Sequence, residues 1–429
     1  MHRHRRLLAA VAAFVVAGVA ALAAYGATAK SNGTVSISFM EAMSSGTQKP
    51  ALDLLTKRFE AQNPNVKVTL IAEPNYGVLQ QKEQASIAAG QPPTIGQAYE
   101  NWAAAYADAK AIVPLTSYVN NKKTGVTPKD QAQIWKGVWQ DLFLPDGKIW
   151  MWPFNKSDYV MYYNPTKLAA AGLSVPKTWV QFATVAKALT KNGDWAWSTD
   201  TGTPAAPADG TIVMMSLIKA NGGTWIANGK PTLDTPAAVK ALGYLADLQK
   251  SGALQMGTNY PGETALGAGR SAFDLSTIAG YPYELSAVGG KFPMKVAPLP
   301  SGRNGQGNAM AGTNIVIFSK ASSAEKQAAW EYMKFLSEPR QTAYWAEETG
   351  YLPVTKEALP IMKRYIATHP YQQIAAQALQ VARGNPPYAW WTEAEGDLTT
   401  AMQQVLDNHG DPAHALAKAQ QEALQAAGG

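Results

Sequence analysis

Apolar and polar residues alternate with two different periods along the chain, and these periods predict strands and helices. Residues 35–39 and 66–71 alternate residue by residue, as in strands, whereas residues 51–59 place apolar side chains three and four positions apart, as in a helix. Asn63 and Pro64 end this helix before the second strand begins. This first segment therefore predicts a β-α-β unit.

The same alternation of strands and helices continues through the rest of the chain. Further elements are predicted as helices at 79–89 and 102–110, strands at 150–154 and 159–163, helices at 179–190, 212–220 and 237–248, strands at 295–299 and 314–318, a helix at 330–336, and Ala/Gln-rich helices at the C-terminus. Strands that alternate with helices predict open sheets covered on both faces. Two successive cycles of this kind predict an α/β protein with two lobes.

The first 29 residues have the pattern of an export signal. Basic residues 1–6 precede the wholly apolar stretch 7–24, and Ala27-Thr28-Ala29 has the small residues that signal peptidase requires. We therefore expect cleavage before Lys30, export by the general secretory route and a soluble protein in the periplasm or cell envelope. An uncleaved membrane anchor is the alternative, because a stretch of this length can just span a bilayer.

The composition excludes several classes of protein. The chain has 429 residues, of which 46% are hydrophobic and 16% charged, so it can build one large or two ordinary hydrophobic cores. The absence of Cys excludes disulfides, thiolate metal sites, thiol nucleophiles and a lipid-modified cysteine. Three Arg residues within the first six account for half of the net charge of +6. The remaining charge forms no basic stripe, and we expect no nucleic-acid partner.

Patterns typical of enzymes and metal sites are missing. Two of the five His residues lie in the export signal, the others are isolated, and the chain contains no HExxH. Glu393 and Glu395 resemble a glycosidase pair, but residues two positions apart do not share a helix face, and we expect both on a solvated surface. The sequence thus predicts no metal, no cofactor and no enzymatic activity. An exported carbohydrate-active enzyme is the more distant alternative.

Aromatic residues are concentrated in loop-like positions near the predicted strand ends. They are Tyr76, Tyr99, Tyr281, Tyr351 and the segment Tyr388-Ala389-Trp390-Trp391. Loops at the carboxyl ends of strands are the usual ligand-binding positions of open α/β sheets. Aromatic rings can stack on the C–H faces of a sugar, while carboxylates, amides and hydroxyls bind its hydroxyl groups. The pattern therefore predicts a sugar or polyol site, and the alternative for each single ring is local core packing.

Eight short motifs follow one another in a fixed order over almost the whole chain. They are Phe59-Glu60 with Asn63-Pro64, Ile87-Ala88-Ala89-Gly90, Ala109-Lys110-Ala111, Trp152-Pro153-Phe154-Asn155-Lys156-Ser157, Tyr162-Tyr163-Asn164-Pro165, Ala171-Gly172-Leu173, Gly267-Ala268-Gly269-Arg270 and Gly350-Tyr351-Leu352-Pro353. In these motifs, residues 35–424 resemble the extracellular solute-binding proteins of carbohydrate ABC importers.

This resemblance implies a two-lobe periplasmic-binding-protein (Venus-flytrap) fold of the α/β class, with a hinge of crossing strands. The expected N-terminal lobe comprises residues 30–154 plus 294–338, and the expected C-terminal lobe comprises 158–290 plus 342–429. Crossings are expected near 154–158, 290–294 and 336–342. The resemblance also implies a small-molecule ligand, ABC permease subunits as partners, and a monomer.

Within the family, the chain most resembles the binders of glycerol-3-phosphate and glycerophosphodiesters. That resemblance implies ligand contacts at Tyr76, Glu100, Ser157, Ser276, Gly312 and Tyr351. We add Lys156, which lies beside Ser157 at a position where the subfamily has Ser. We also add the aromatic residues Tyr281, Trp390 and Trp391.

The chain departs from this subfamily near its C-terminus. Where the subfamily has an Arg for the phosphate, this chain has aromatic and acidic residues, which are unfavourable for a phosphate dianion. We therefore expect a neutral sugar or oligosaccharide stacked on Trp390 or Trp391. A phosphate-bearing ligand whose charge is met by Lys156 is the alternative.

Overall fold

The computed structural model describes residues 33–190, 194–203 and 206–428, so the predicted export signal and its cleavage site lie outside the described residues. The strands are Val35–Glu41 (β1), Val66–Ala72 (β2), Ile95–Ala98 (β3), Trp152–Pro153 (β4), Ser157–Tyr163 (β5), Trp197–Thr199 (β6), Gly202–Thr203 (β7), Ala206–Pro207 (β8), Ile226–Ala227 (β9), Lys230–Pro231 (β10), Leu254–Met256 (β11), Phe273–Thr277 (β12), Lys295–Pro298 (β13), Met310–Ala311 (β14) and Asn314–Ile317 (β15).

Helices lie between many of these strands, and others follow the last strand. The α-helices are Gln48–Gln62, Tyr76–Ala88, Glu100–Asp108, Thr116–Val119, Pro128–Gln131, Lys136–Gln140, Pro165–Ala170, Trp179–Leu189, Asp209–Ala220, Pro236–Lys250, Pro261–Gly267, Tyr281–Val288, Ser323–Leu336, Pro339–Thr349, Ala358–Ile361, Lys363–Thr368, Tyr371–Ala378, Trp391–Leu406 and Pro412–Ala426, and a 3-10 helix spans Ile278–Gly280.

The first sheet has the strand order β2-β1-β3-β15-β4. β1 pairs in parallel with both β2 and β3, whereas β15 pairs antiparallel with β3 and β4. Parallel neighbours require a crossover connection, and helix Gln48–Gln62 supplies it between β1 and β2. The β-α-β unit predicted from the sequence is confirmed.

The second sheet has the strand order β11-β6-β12-β5-β13, and β14 also pairs with β5. Six of the seven residues of β5 are buried because this strand lies inside the sheet, with neighbours on both sides. A large hydrophobic core surrounds the first sheet and extends onto the face of β5 that carries Val160 and Tyr162. A second core covers the opposite face of β5, with Tyr159 and Met161. The prediction of two α/β units is confirmed.

Two of the expected crossings are corrected by the strand pairing. The chain passes from β4 to β5 at residues 154–156, as expected, but it does not return near 290–294, because β13 and β14 both pair with β5. The return lies at residues 312–313, between β14 and β15. Residues 295–311 thus join the second sheet, although the sequence placed 294–338 in the first lobe. Such short strands contain no pattern that identifies the sheet they join.

The third crossing also lies later than expected. Helix Pro339–Thr349 still packs on helix Gln48–Gln62, and Leu379 and Ala382 belong to the first core. The chain reaches the second core at Trp391, so the third link runs through residues 383–390. The expected boundary near 342 is therefore too early, because these amphipathic helices can pack equally well against either lobe.

A buried pair of carboxyl groups joins β12 to helix Tyr281–Val288. Asp274 and Glu284 are 4% and 2% exposed, and their side chains hydrogen-bond to each other. Burial, together with the neighbouring Asp274, raises the pKa of Glu284 to about 11, and burial raises the pKa of Asp274 to about 7. Two buried carboxyls this close cannot both be ionised, so Glu284 keeps its proton at neutral pH.

We expect Glu284→Gln to be more stable than the wild type at pH 9 and nearly equal to it at pH 5. The folded state binds more protons than the unfolded state above the ordinary pKa of Glu, so wild-type stability falls as pH rises. Gln retains the donor to Asp274 without that dependence. Each pH unit between the two conditions contributes about 1.4 kcal/mol, so the gain at pH 9 should be on the order of several kcal/mol. Urea unfolding at both pH values measures it, and an equal difference at the two would contradict the assignment.

Candidate ligand-binding cleft

A network of uncharged side chains joins the first two links between the sheets. The side-chain oxygen Oδ1 of Asn155 accepts hydrogen bonds from Gln97 Nε2 at 3.0 Å and from Thr313 Oγ1 at 2.7 Å. The Asn155 amide donates to the Tyr76 hydroxyl at 2.7 Å, and the Tyr76 and Tyr351 hydroxyls lie 3.2 Å apart. The structure thus brings together Tyr76 and Tyr351, two of the predicted ligand contacts.

Helix N-termini hold two of the tyrosines on the first lobe. Asn75 caps the helix that begins at Tyr76, since its side chain accepts from Val78 N at 2.9 Å. Tyr99 occupies the N-cap position of helix Glu100–Asp108, and its ring meets that of Tyr76 edge-on at 5.4 Å. Burial raises the pKa of both phenols, so each remains a neutral hydrogen-bonding group at physiological pH.

The facing wall belongs to the second sheet and its helices. Tyr159 on β5 donates to Asp209 Oδ1 at 2.7 Å, and the Ser276 hydroxyl on β12 also hydrogen-bonds to Asp209. Burial raises the pKa of Asp209 to about 6, although these two hydrogen bonds lower it. Asp209 is the first residue of helix Asp209–Ala220, where the helix dipole favours a negative charge.

Glu395 adds a second carboxylate between the two walls. Its side chain is only 7% exposed, and burial raises its pKa to about 7. Its charge acts on both Tyr99 of the first lobe and Tyr159 of the second. Glu395 therefore lies in the cleft, and the sequence-based expectation of a solvated helix surface is wrong for this residue.

An exposed tyrosine stands at the mouth of the cleft. Tyr260 is 74% exposed, and its φ of +57° is in the left-handed region that non-glycine residues rarely adopt. The charges of Asp209 and Asp200 act on its phenol. A large aromatic ring held in this conformation and left uncovered is well placed to stack on a bound molecule.

The charged residues predicted to contact ligand are instead bound to one another. Lys156 is fully buried, with its Nζ 2.5 Å from Asp141 Oδ2 and 3.2 Å from Glu100 Oε1. The Asn314 amide donates to the same two carboxylates at 3.0 Å each. Asn385 N donates to Glu100 Oε2 at 3.0 Å. Both oxygens of Glu100 and the charge of Lys156 are thus already engaged within the protein.

The ionisation of this cluster follows from its contacts. Burial disfavours the ammonium of Lys156, but Asp141 and Glu100 outweigh it and raise the pKa of Lys156. Burial would raise the pKa of Asp141, yet Lys156 and the hydrogen bonds around it lower that pKa. Burial and the adjacent Asp141 raise the pKa of Glu100 well above its ordinary value. The cluster thus contains a charged Lys156–Asp141 pair beside a Glu100 that readily keeps its proton.

The remaining predicted residues are Ser157, Gly312, Tyr281 and the two tryptophans. Ser157 and Gly312 lie together at the hinge, where Ser157 pairs with Ala311. Tyr281 stacks on Tyr371 at 4.0 Å and packs against the first core.

The two tryptophans have different surroundings. Trp391 is fully buried in the second core. Trp390 is half-buried, stacks on Tyr388 at 5.1 Å and lies next to Thr392, which accepts a hydrogen bond from Asn101 of the first lobe. Trp391 thus has no surface that a ligand could reach, so the expectation is wrong for this residue, whereas a ligand contact at Trp390 stays a prediction.

Several residues of the cleft escaped the sequence analysis. Asp209, Tyr159 and Tyr260 belong to no motif, and only the tertiary structure brings them opposite Tyr76 and Tyr99. One signal was available in the sequence, because Asp209 follows a Pro/Ala-rich loop and opens a helix, which is a common position for a binding carboxylate.

Within residues 33–190, 194–203 and 206–428, no group of three or more His, Asp or Glu side chains is arranged to hold a metal ion. Over the same part of the chain, none of the helices combines the length and the apolar character needed to cross a bilayer.

Residues 55–372 match the family described as bacterial extracellular solute-binding protein. The chain belongs to this family. One relative, the sn-glycerol-3-phosphate-binding periplasmic protein UgpB of Rhizobium meliloti (strain 1021), is 25% identical over 351 residues, which cover 80% of this chain and 80% of the relative.

Solved structures of similar fold bind different molecules. UgpB from Mycobacterium tuberculosis in complex with glycerophosphocholine has a TM-score of 0.80 and 20% identity, and covers 92% of this chain and 98% of its own. The cyclic alpha-maltosyl-1,6-maltose binding protein from Arthrobacter globiformis has a TM-score of 0.78 and 21% identity, and covers 92% and 99%. The two-lobe periplasmic-binding-protein fold expected from the sequence is confirmed.

We expect Gly312→Ala to destabilise the protein far more than Gly269→Ala. Both glycines have a positive φ, +80° and +71°, but a Cβ at Gly312 would lie 1.7 Å from the Asn155 carbonyl oxygen, whereas at Gly269 it would meet nothing within 4 Å. Gly269→Ala should cost about 1–2 kcal/mol and Gly312→Ala at least about 3 kcal/mol. Denaturant unfolding compares them, and similar costs would show that the hinge backbone adapts freely.

Proposed function

We propose that this protein is the substrate-binding component of an ABC importer and captures a neutral sugar or oligosaccharide between its two lobes. The ligand bridges the walls, favours the closed arrangement and is released to the permease subunits in the membrane. No bond is made or broken, so the protein is a carrier and not an enzyme. The export pattern at the N-terminus supports a role in the periplasm or cell envelope, as a monomer.

The aromatic rings and carboxylates that line the cleft support the proposal of a neutral sugar ligand. Its walls combine the aromatic rings of Tyr76, Tyr99 and Tyr260 with the carboxylates of Asp209 and Glu395. The ionisable groups that act most strongly on Tyr99, Tyr159 and Asp209 are all carboxyl groups or phenols, and none is a cation. Carboxylates accept hydrogen bonds from sugar hydroxyls, whereas they repel a phosphate.

Contacts between the lobes are consistent with a ligand held between them. Ser45 of the first lobe lies 3.2 Å from the Tyr283 hydroxyl, and Asn101 donates to Thr392 at 2.9 Å. A ligand that binds the closed arrangement better than the open one shifts the balance between them by that difference in affinity.

A glycerophosphodiester is the second candidate ligand. The similarity to proteins named for glycerol-3-phosphate binding favours it. The arrangement of Lys156 opposes it, because this ammonium is fully buried and its charge is balanced by Asp141. A phosphate would need a cation from elsewhere in the cleft.

Calorimetric titration with neutral oligosaccharides and with glycerophosphocholine should separate the two candidates. We expect binding of a neutral sugar with little dependence on salt, since no net charge is paired. Trp390→Ala should weaken that binding by roughly 10-fold or more, because a half-buried indole loses its stacking surface. Salt-sensitive binding of glycerophosphocholine with no response to any sugar would overturn the neutral-sugar proposal.

Trp391→Ala is the matched variant for this experiment. Its indole is fully buried in the second core, so its loss should lower the melting temperature through a cavity. Sugar affinity measured well below that temperature should fall less than in Trp390→Ala, because Trp391 acts on the ligand only through its contacts with Trp390 and Glu395. Incubation of the same sugars with the protein should yield no product, and any turnover would favour the carbohydrate-active enzyme.

Affinity for the sugar should rise as the pH increases from 5 to 8. Asp209 and Glu395, with pKa values raised to about 6 and 7, then lose their protons and become stronger acceptors for hydroxyl groups. Asp209→Asn should weaken binding by about 10-fold at pH 8 and flatten part of this dependence. Asp247→Asn, at an exposed carboxylate on helix Pro236–Lys250, is the control. The same pH profile in both variants would exclude Asp209 from the site.

A further inference from the structure

The two faces of the linking segments carry different chemistry. Consecutive residues of an extended chain point to opposite sides, so Asn155 and Lys156 separate, as do Thr313 and Asn314. Asn155 and Thr313 belong to the uncharged network with Tyr76 and Tyr351. Lys156 and Asn314 instead meet Glu100 and Asp141. We call Glu100, Asp141, Lys156 and Asn314 the pivot cluster.

The pivot cluster contacts all three links between the lobes. Lys156 is part of the first link, and its Nζ lies 3.5 Å from the carbonyl oxygen of Gly312 in the second. Asn314 begins β15 directly after that second link. The third link reaches the cluster through Asn385 N, which donates to Glu100 Oε2 at 3.0 Å. Segments that are far apart in sequence therefore converge on one buried ammonium and two carboxyls.

The backbone of the third link packs closely against the pivot cluster. A Cβ at Gly384 would lie 2.0 Å from Asp141 Oδ1 and 3.0 Å from Glu100 Cδ, so only glycine fits. The third link also runs beside the second. Met310 N donates to the Arg383 carbonyl oxygen at 2.7 Å, and Arg383 N donates to the backbone carbonyl oxygen of Asn308 at 3.2 Å. The third link is thus held both by backbone hydrogen bonds to the second link and by close packing against the pivot cluster.

We propose that the pivot cluster is the fixed point about which the two lobes move, and that Glu100 is a positioning residue that ties the third link to the other two. A buried charge is costly unless every partner stays in place, so separation of any one link from Lys156 or Glu100 would leave an uncompensated group. The uncharged network on the opposite face can exchange partners at much lower cost. Lobe motion then opens the tyrosine side of the hinge and leaves the charged side closed.

Because the chain contains no cysteine, spin labels can be attached at introduced cysteines alone, and the motion of the lobes can be tested in the ligand-free protein. Lys57→Cys on helix Gln48–Gln62 and Lys240→Cys on helix Pro236–Lys250 place one spin label at an exposed position on each lobe. Double electron–electron resonance then gives the distribution of distances between the lobes. Lys156→Met, which keeps the length of the side chain without its charge, is expected to at least about double the width of that distribution.

Two further variants keep the test decisive. Leu52→Ala lies in the first core on helix Gln48–Gln62 and should lower the melting temperature without broadening the distribution. If Lys156→Met does not fold, Glu100→Gln serves instead. Gln offers a single acceptor oxygen, so it must release either Asn385 N or the Lys156–Asn314 side.

The outcomes separate a pivot from ordinary structural support. Broadening in Lys156→Met or Glu100→Gln, with an unchanged width in Leu52→Ala, supports the proposal. An unchanged width in the charge variants would overturn it, and so would equal broadening in Leu52→Ala, because the width would then report only general destabilisation. The measurement needs no ligand, so its failure leaves the proposed transport function untouched.

Discussion

The ammonium of Lys156 is a fully buried positive charge at the place where the chain passes from one sheet to the other. Such a charge must be compensated in the fold, and here Asp141 of the first lobe provides the opposite charge while Glu100 accepts a hydrogen bond from the ammonium. This requirement fixes the position of the link that carries Lys156. It also leaves the adjacent Asn155 free to point towards the tyrosines of the cleft. The hinge and the binding site are therefore two faces of the same short segments.

The same constraint decides what Glu100 can do. Family resemblance implies a ligand contact for this carboxylate, yet both of its oxygens accept hydrogen bonds from within the protein. Lys156, an internal cation, occupies the space beside Glu100. In the proposed function, recognition therefore falls to Asp209 and Glu395, whose pKa values burial raises to about 6 and 7. Carboxylates of this kind favour hydroxyl groups over phosphate.

Burial separates residues that look alike in the sequence. Trp390 and Trp391 are neighbours, but Trp391 begins a helix with its indole in the second core, and Trp390 stays at the surface against Tyr388. Glu395 lies four residues after Trp391 on the same buried face of that helix, where its side chain hydrogen-bonds to Trp391 and its charge acts on Tyr99 and Tyr159. A periodic pattern reveals that a helix has two faces. Which of them meets a cleft depends on the partner elements.

The sequence by itself determined the α/β alternation, the first β-α-β unit and the family, because periodicity and local motifs are properties of short segments. It also singled out Tyr76 and Tyr351, which lie in loop-like positions near strand ends and meet in the structure. The tertiary structure alone decided which sheet β13 and β14 join, since a strand of two to four residues can pair with either. It alone brought Asp209, Tyr159 and Glu395 to one cleft and enclosed Lys156 between two carboxyls. These contacts join residues far apart in the chain, and register and packing, which no local pattern encodes, place them together.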